Sequence, residues 1–323
     1  MRSASHTSDR VVLARLPSGV SVETTVHTYE GAQPGPTLYV QAAQHGREVN
    51  GTAVCRRFHD RIRGRSLAGR IVVVPVANPL TFDRVSYTTP EVLDSVNPNM
   101  NRVWPGDASG SLHQRMAATL WRRVEDSDAV VDLHTGSPAM YPHVVFLEGS
   151  EGSRQLAEAF GTDLLLGEQA GADASDEWHR RGFAGKLRVV ADRDGIPAIT
   201  PELAHSRELV EDAIEVGVEG LLDVCRHLGL LEGTVPDRSQ TLARNHLGQV
   251  TASASGLFRP KPSLELGESI PAGTSIGTVY DPTTYETVQN VSTDRSGILY
   301  ACTRDATVKA GDKLASVAIV RDE

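Results

Sequence analysis

Apolar and polar positions follow two patterns over the first two thirds of the chain. Short, nearly continuous apolar runs are typical of strands covered on both faces; they lie at 36–44, 70–78, 128–136, 143–149 and 196–203. Apolar residues at helical spacing occupy the segments between them, at 51–62, 112–124, 153–160 and 207–230. Runs 11–16 and 20–29 flank a Pro-Ser-Gly turn and predict a hairpin. Strands that alternate with helices predict an α/β sandwich around a largely parallel sheet.

The pattern changes after about residue 233. Long helical patterns end, and short strand-like pieces follow one another between Gly and Pro residues, at 249–253, 273–280, 297–303 and 313–320. This pattern of short strand-like segments is typical of a small all-β module. We therefore predict a catalytic α/β domain over residues 1–232 and a β-rich domain over residues 233–323.

Charge and composition exclude some classes of protein. The net charge of −9 argues against nucleic-acid binding, which normally needs a basic face. The longest aliphatic run, residues 71–77, is too short to cross a bilayer, and no apolar stretch follows Arg2 as in a secretory signal. Cys55, Cys225 and Cys302 show no metal-type or redox spacing. The expectation is a cytoplasmic protein with three reduced thiols and no membrane partner.

The apolar run at 36–44 ends in an unusual way, in His45, Gly46, Arg47 and Glu48. Two interpretations remain open at this point. A strand-to-helix loop carries polar residues because it meets water. Alternatively, His45 and Glu48 are two of the roughly three protein ligands that a catalytic zinc ion needs.

Two other apolar runs also end in residues with useful chemistry. His134 follows a run that is apolar except for Asp132, which could orient it by a hydrogen bond; a lone histidine there would more simply be a core residue. Glu202 ends the run at 196–203, where a carboxylate beside a metal-bound water can act as general base and acid. The plainer interpretation of Glu202 is a surface residue at a helix start.

Residues 78–107 form a long stretch without a regular pattern. Long irregular loops in compact domains are uncommon and tend to be functional. This one carries Arg84, Asn101 and Arg102. Arginine suits a bidentate grip on a carboxylate, although a single loop arginine is more often a solvated charge.

Taken in order, the motifs HGRE, NP…R…NMNRVWPG, DLHTG and TPEL resemble the succinylglutamate desuccinylase/aspartoacylase family. The resemblance covers roughly residues 36–205. It implies a zinc-carboxypeptidase-like α/β/α sandwich with a mostly parallel mixed sheet, followed by a small C-terminal all-β domain. Many members have Asp-Leu where this chain has Asn99-Met100, which leaves the metal site unaffected but bears on the shape of the substrate pocket.

The resemblance also implies a role for each residue of the site. Zn²⁺ would be held by His45, Glu48 and His134. Glu202 would be the general base and acid, and Arg84 would polarise the scissile carbonyl. The substrate carboxylate would be held by Asn101 and Arg102.

The β-rich tail is similar to biotinyl/lipoyl-type half-barrels. In carrier domains a lysine on a tight hairpin takes the cofactor, but the segment between the two halves, residues 283–297, has no lysine. Lys309 and Lys313 lie elsewhere. We therefore expect a lid or an oligomer contact, and a cofactor carrier is disfavoured.

These observations predict a zinc amidohydrolase that removes an acyl group, preferentially acetyl, from a small N-acyl amino acid such as an N-acetyl diamino acid. The alternatives are a metallocarboxypeptidase on short peptides and a desuccinylase or aspartoacylase on an acidic N-acyl amino acid. A metal-free binding protein would require a lost catalytic residue, and none of the four is replaced.

Overall fold

The structure is a computed structural model that describes residues 3–320, apart from the side chains of residues 173 and 245–247. Its helices are α1 (Asn50–Ile62), α2 (Pro79–Phe82), α3 (Leu112–Val124), α4 (Glu151–Phe160), α5 (Asp176–Arg180), α6 (Leu187–Arg193) and α7 (Glu211–His227). Short 3-10 helices span Met100–Arg102, Gly171–Asp173 and Phe183–Gly185.

The strands of the first part of the chain are β1 (Ser5–Arg15), β2 (Ser21–Glu30), β3 (Gln33–Ala42), β4 (Ala68–Val74), β5 (Ala129–Gly136), β6 (Ala139–Met140), β7 (His143–Leu147), β8 (Leu164–Glu168) and β9 (Ala198–His205). Those of the last part are β10 (Thr241–Thr251), β11 (Gly256–Pro260), β12 (Ser269–Ile270), β13 (Ser275–Tyr280), β14 (Thr287–Ser292), β15 (Gly297–Cys302), β16 (Thr307–Val308) and β17 (Lys313–Val320).

The large sheet is mixed, with parallel strands in its centre. Its order is β1-β2-β4-β3-β5-β9-β7-β8-β10-β17-β15-β12. Strands β4, β3, β5 and β9 run parallel to one another, whereas the hairpin β1–β2 and the strands β17 and β15 pair antiparallel. Ligands bind beyond the carboxyl ends of the central strands in such sheets, so the ends of β3, β5 and β9 define where the site lies.

Alternate residues of the central strands pack into two cores on opposite faces of the sheet. Leu38 and Val40 of β3 pack in a core that contains residues of α1, α4 and α7, such as Phe58 and Leu221. Tyr39, between them, belongs to a second core with residues of α3 and α6. This alternation follows the two-residue period of a strand and confirms the predicted α/β/α sandwich.

The β-rich tail is joined to the sandwich through the sheet itself. Residues 241–244 of β10 pair parallel with β8, and β10 pairs antiparallel with β17 from Ala243 to its end. Strands β14, β13, β11 and β16 form a separate antiparallel sheet, and β6 of the first part pairs with β15. The division at residue 232/233 stays a prediction, since the large sheet crosses it.

Three other expectations can be compared with the structure. The helix predicted over 207–230 is observed as Glu211–His227, and α5 and α6 were not predicted. The three cysteines are free. Within residues 3–320, none of the helices has both the length and the apolar character needed to cross a membrane.

Candidate functional site

The candidate site begins where β3 ends, because the backbone leaves the strand direction at Ala43. Ala43 has a left-handed conformation (φ 51°), which residues other than glycine rarely adopt. The carbonyl groups of Ala42 and Ala43 accept hydrogen bonds from the amides of residues 77 and 78. The Glu48 amide then donates to the His45 carbonyl (3.0 Å). This turn brings the His45 and Glu48 side chains together.

Gly46 is required for this turn because the backbone of α2 passes close to it. A Cβ atom at position 46 would lie 2.0 Å from the Thr81 carbonyl group, far inside contact distance. The glycine of the HGRE motif therefore permits the close approach of the loop to α2.

His45, Glu48 and His134 form a compact buried group. Their side chains offer one ligand atom each, and these atoms lie within 4.8 Å of one another. Nδ1 of His134 is 3.0 Å from Oε2 of Glu48. The residues are only 2%, 4% and 5% exposed, respectively. The strand-end prediction for these three residues thus agrees with their placement: β3 and β5 are parallel neighbours, and His134 lies two residues before the end of β5.

The His45 ring is held as a neutral imidazole. Its Nδ1 lies 2.7 Å from the Tyr87 carbonyl oxygen, which can only accept, so Nδ1 carries the proton and the lone pair is on Nε2. Burial lowers the pKa of His45 to about 4; Glu48 opposes this shift, and the charges of His134 and Arg102 add to it. The ring also stacks on the Tyr87 ring at 3.9 Å between centres. A neutral, fixed imidazole is a suitable metal ligand.

His134 lies between two buried carboxylates. Its Nε2 is 3.0 Å from Oδ2 of Asp132, and Asp132 is fixed by the amides of Gln41 and Gln44 at 3.0 and 2.7 Å. Burial alone would lower the pKa of His134, but Asp132 and Glu48 raise it well above its usual value. The predicted orientation of His134 by Asp132 is therefore confirmed, and it leaves Nδ1 towards Glu48.

The three side chains fit a divalent metal ion. In the metal-free chain, the protonated Nδ1 of His134 places a positive charge next to the Glu48 carboxylate. A metal cation between the two side chains would take the place of that proton. Two imidazoles and a carboxylate are the donor set of many catalytic zinc sites. Asp132 would keep the Nε2 proton in place and so orient the ring towards the metal.

Glu202 lies beside this group, on the neighbouring strand. In the register of β5 and β9, Glu202 is opposite His134. Burial raises the pKa of Glu202 to about 7; His134 counteracts this, Glu48 adds to it, and Lys186 and Arg188 counteract it. A carboxyl group with a pKa near neutrality can both accept and donate a proton at physiological pH.

Asn101 and Arg102 reach the site from the 3-10 helix of the long loop. The Asn101 Nδ2 atom is 3.3 Å from Nε2 of His134, and its Oδ1 accepts from the Leu187 amide at 3.0 Å. The Arg102 guanidinium donates to the carbonyls of Arg181 and Asn101 at 2.7 and 2.6 Å. Asn99, where many family members have Asp, still supplies an oxygen that accepts from the Asn101 amide (2.9 Å).

Arg84 has a different environment. Its side chain is exposed, and NH1 donates to the Leu80 carbonyl at 3.1 Å. Within the described part of the chain, no hydrogen bond or ion pair joins Arg84 to His45, Glu48 or His134. Its role in polarising a carbonyl stays a prediction.

The sequence interpretation missed a group of charges formed by the last residue of β8 and the segment between β8 and β9. Glu168 is 2% exposed; it accepts from Lys186 at 3.0 Å and also pairs with Arg188. Both cations act on the pKa of Glu202, so they are close to the site. Burial lowers the pKa of Lys186 to about 8, although Glu168 opposes this shift. No local motif marks this group, since Glu168 lies 18 residues before Lys186 and 20 before Arg188 in the sequence.

One aromatic ring in this segment is surrounded by cations. The Phe183 ring centre is 4.7 Å from the Arg102 guanidinium carbon, 5.0 Å from that of Arg181 and 3.5 Å from Nζ of Lys186. We call Arg102, Arg181 and Lys186 the Phe183 cations. Arg102 acts on the pKa of His45 and Lys186 on that of Glu202. The Phe183 cations therefore lie next to the candidate metal centre.

The fold and the site together define an α/β protein with a buried His-Glu-His group suited to a metal ion. The family model of the succinylglutamate desuccinylase/aspartoacylase catalytic domain matches residues 34–228. The chain therefore belongs to this family, whose members are deacylases, and the resemblance seen in the sequence is confirmed.

Individual relatives cover nearly the whole chain. The N-alpha-acetyl-L-2,4-diaminobutyric acid deacetylase of Halomonas elongata is 29% identical over 88% of this chain and 83% of its own length. A succinylglutamate desuccinylase/aspartoacylase from Rhodobacter sphaeroides superposes with a TM-score of 0.82 at 23% identity, covering 100% of this chain and 96% of that one. The product-bound ectoine utilization protein EutE (DoeB) of Ruegeria pomeroyi superposes with a TM-score of 0.82 at 20% identity, covering 99% of this chain and 96% of that one. These solved structures confirm the fold, including its C-terminal part.

Proposed function

We propose that the protein is a zinc-dependent amidohydrolase that removes an acetyl group from a small N-acetyl amino acid. The observation that carries the proposal is the buried His45-Glu48-His134 group with Glu202 opposite His134. When bound, a zinc ion supplies a Lewis acid that lowers the pKa of a water ligand to about 7. Family membership supports the deacylase reaction.

Glu202 is the residue to which we assign proton transfer. Its position beside the ligand group and its raised pKa suit a carboxylate that takes a proton from the attacking water. The same group then gives that proton to the nitrogen of the leaving amine, which must be protonated to depart. One carboxyl group is sufficient for both transfers.

Arg102 is our candidate for binding the amino-acid carboxylate. Its charge is close enough to influence the pKa of His45, and a guanidinium can bind a carboxylate through two hydrogen bonds. Asn101 borders the same space through its contact with His134. Arg84 remains the sequence-based candidate for polarising the carbonyl, for which it would have to leave the Leu80 carbonyl.

For the amino acid itself we propose an N-acetyl diamino acid. The support is the 29% identity to a deacetylase whose name specifies N-alpha-acetyl-L-2,4-diaminobutyric acid, over most of both chains. The acidic loop residues Asp83, Glu91 and Asp107 agree with a cationic substrate in sign.

A second candidate, deacylation of an acidic N-acyl amino acid, is favoured by the Phe183 cations. Three positive groups around one ring next to the ligand group would attract a second carboxylate and repel an ammonium group. Glu168 neutralises part of this charge through Lys186. The two candidates therefore differ in the sign of the substrate side chain.

The test is a comparison of kcat/KM on N-acetyl-diaminobutyrate, N-acetyl-aspartate, N-succinyl-glutamate and a dipeptide, with zinc-loaded enzyme. We expect N-acetyl-diaminobutyrate to be preferred by at least about tenfold, which is about 1.4 kcal/mol of differential transition-state binding. Preference for an acidic substrate would favour the second candidate, and preference for the dipeptide would favour a carboxypeptidase. No turnover of any of them would contradict the proposal.

A lysine variant sharpens this test. Lys186→Met removes one of the Phe183 cations while keeping an unbranched side chain. If the cations bind a substrate carboxylate, the variant should lose activity on acidic substrates selectively. A rise in the ratio of kcat/KM on N-acetyl-diaminobutyrate to kcat/KM on N-acetyl-aspartate would show that the Phe183 cations act through their charge.

A further inference from the structure

A second group of histidines lies at the opposite end of α1 from the candidate metal centre. His6 belongs to β1, His27 to β2, and His59 to the last turn of α1. We call these three residues the outer histidine cluster. They line a cleft of about 490 Å³ between α1 and the hairpin β1–β2, which the proposed deacylase reaction does not use.

Two nitrogens of the outer histidine cluster are already close together. Nε2 of His6 is 3.1 Å from Nδ1 of His27. Two neutral rings can share one hydrogen bond in this geometry, but two nitrogens bound to one zinc ion are also separated by about 3.3 Å, given Zn–N distances of about 2.05 Å and a tetrahedral angle. The distance between the two nitrogens therefore agrees with a hydrogen bond in the metal-free chain and is close to that of two ligands of one ion.

The ring centres show that the third histidine is within reach. Imidazoles that bind one tetrahedral ion have centres about 5.2 Å apart, because each centre lies about 3.2 Å from the metal. The His6 ring is 5.3 Å from His27 and 4.8 Å from His59, whereas His27 and His59 are 6.3 Å apart. Two of the three pairs match this spacing, and the third is wider by about 1 Å.

Binding would require a local adjustment of His59. Within residues 3–320, only the catalytic group holds three such ligand atoms within 4.8 Å of one another. Nδ1 of His59 is 2.7 Å from the Tyr29 hydroxyl, which leaves Nε2 as the ligand atom. The pair that has to close is His27 and His59; both residues are half-buried and line the cleft, so the His59 ring has open space into which it can turn.

The charges around the cleft set the expected affinity. Arg56 is paired with Asp60, so Arg63 is the main cation left among the lining residues. It repels a metal ion, while the three ligands are uncharged and include no carboxylate. Binding should therefore be weaker than at the catalytic group, where Glu48 contributes a negative charge.

We propose that His6, His27 and His59 form a second metal site, which takes a divalent ion of the zinc type. Binding there would connect the beginning of β1, the outermost strand of the sheet, to α1. This proposal is independent of the substrate and of the catalytic metal.

The test is equilibrium dialysis of the full chain against Zn²⁺, followed by metal analysis, for wild type and His6→Gln. Glutamine keeps the polarity of the position but removes the ring nitrogen. We expect wild type to hold one zinc per chain more than the variant, with deacylase activity unchanged. His227→Gln, an exposed histidine of α7, is the matched control and should hold as much zinc as wild type.

Equal zinc content in wild type and His6→Gln would overturn the proposal, as would an equal loss in the control. The readout is the difference in zinc content between wild type and His6→Gln. If the catalytic site failed to bind zinc, the zinc content of both proteins would fall equally and this difference would not change. As a second readout, Zn²⁺ should raise the unfolding midpoint of His134→Ala by a few degrees, and should not do so for His6→Gln/His134→Ala. An equal rise in both would also overturn the proposal.

Discussion

The ends of β3, β5 and β9 and the loops around them build different halves of the site. Side chains on the strand ends are buried and bound from several directions: His45 by Tyr87, and His134 by Asp132 and Glu48. The two loop arginines are longer and more exposed, and Arg84 and Arg102 donate to backbone carbonyls. In the proposed reaction, the strand ends hold the reacting groups and the loops provide the charges that meet the substrate.

This difference has a physical origin. Neighbouring parallel strands fix the spacing of their ends to within hydrogen-bond precision, which a metal ion requires. A carboxylate or ammonium group on a substrate tolerates more variation, because a charge acts over a longer distance. Substitutions at strand ends should therefore affect metal content and kcat, whereas substitutions in the loops should affect KM and substrate choice.

The largest effect is expected from the ligands themselves. His45→Ala or His134→Ala should remove one zinc per chain and lower activity below detection, since two remaining ligands hold zinc poorly. Metal analysis after dialysis and a deacylase assay test this, with His227→Ala as the control. Full zinc content in either variant would contradict the ligand assignment.

A change at Glu202 should separate metal binding from catalysis. Glu202→Gln keeps the size of the side chain but cannot accept the proton, so kcat should fall by a factor on the order of 10² to 10⁴ while zinc content stays constant. Glu215→Gln, on the exposed side of α7, is a matched control. Near-normal turnover of Glu202→Gln would mean that another group transfers the proton.

Arg102 and Arg84 offer a comparison within one loop. Arg102→Lys keeps the charge but loses the two-pronged contact, so KM should rise by about ten- to a hundredfold, equivalent to about 1.5–3 kcal/mol for hydrogen bonds to a charged group. Arg84→Lys should lower kcat if the sequence-based role in polarising the carbonyl holds. Steady-state kinetics distinguish the two. An unchanged kcat for Arg84→Lys would indicate that Arg84 stays at the Leu80 carbonyl.

The same contrast explains what the sequence could predict about the fold. Strands β3, β4, β5, β7 and β9 were predictable because each is a short apolar run between helical patterns. The pairing of β10 with β8 was not, because it joins distant segments and leaves no local pattern. The short helices α5 and α6 were also missed, since five or seven residues carry too few turns to show a period.

For the site, the sequence predicted which side chains the fold brings together, and the roles assigned to them stay predictions. His45, Glu48, His134 and Glu202 all lie at or next to strand ends, and their order along the chain matches the family. Lys186 could not be found in this way, because its importance comes from its ion pair with Glu168 and its proximity to Glu202, which only the fold brings about. The orientation of Arg84 was equally inaccessible, since a long exposed side chain has many rotamers.

The smallest effect concerns the anchor of the long loop. Asp94 is 3% exposed. One of its oxygens accepts from Ser111 Oγ and the His113 amide at 2.8 and 2.7 Å, and the other accepts from the amides of Val96 and Asn97 at 3.1 Å. It therefore ties the segment that leads to Asn101 and Arg102 to the beginning of α3.

Asp94→Asn should lower the free energy of unfolding by about 1–3 kcal/mol, because an amide nitrogen would face two of these donors. Burial alone would raise the pKa of Asp94, but the hydrogen bonds from His113, Asn97 and Ser111 lower it. A lowered folded-state pKa means that this contribution is fully present above the unfolded value, about 3.9, and is lost as the pH falls through the folded value. Urea unfolding at pH 7 and pH 3 tests this: the difference between wild type and variant should be smaller at pH 3. A difference that is the same at both pH values would show that the Asp94 charge contributes nothing, and that the loop is held by its other contacts.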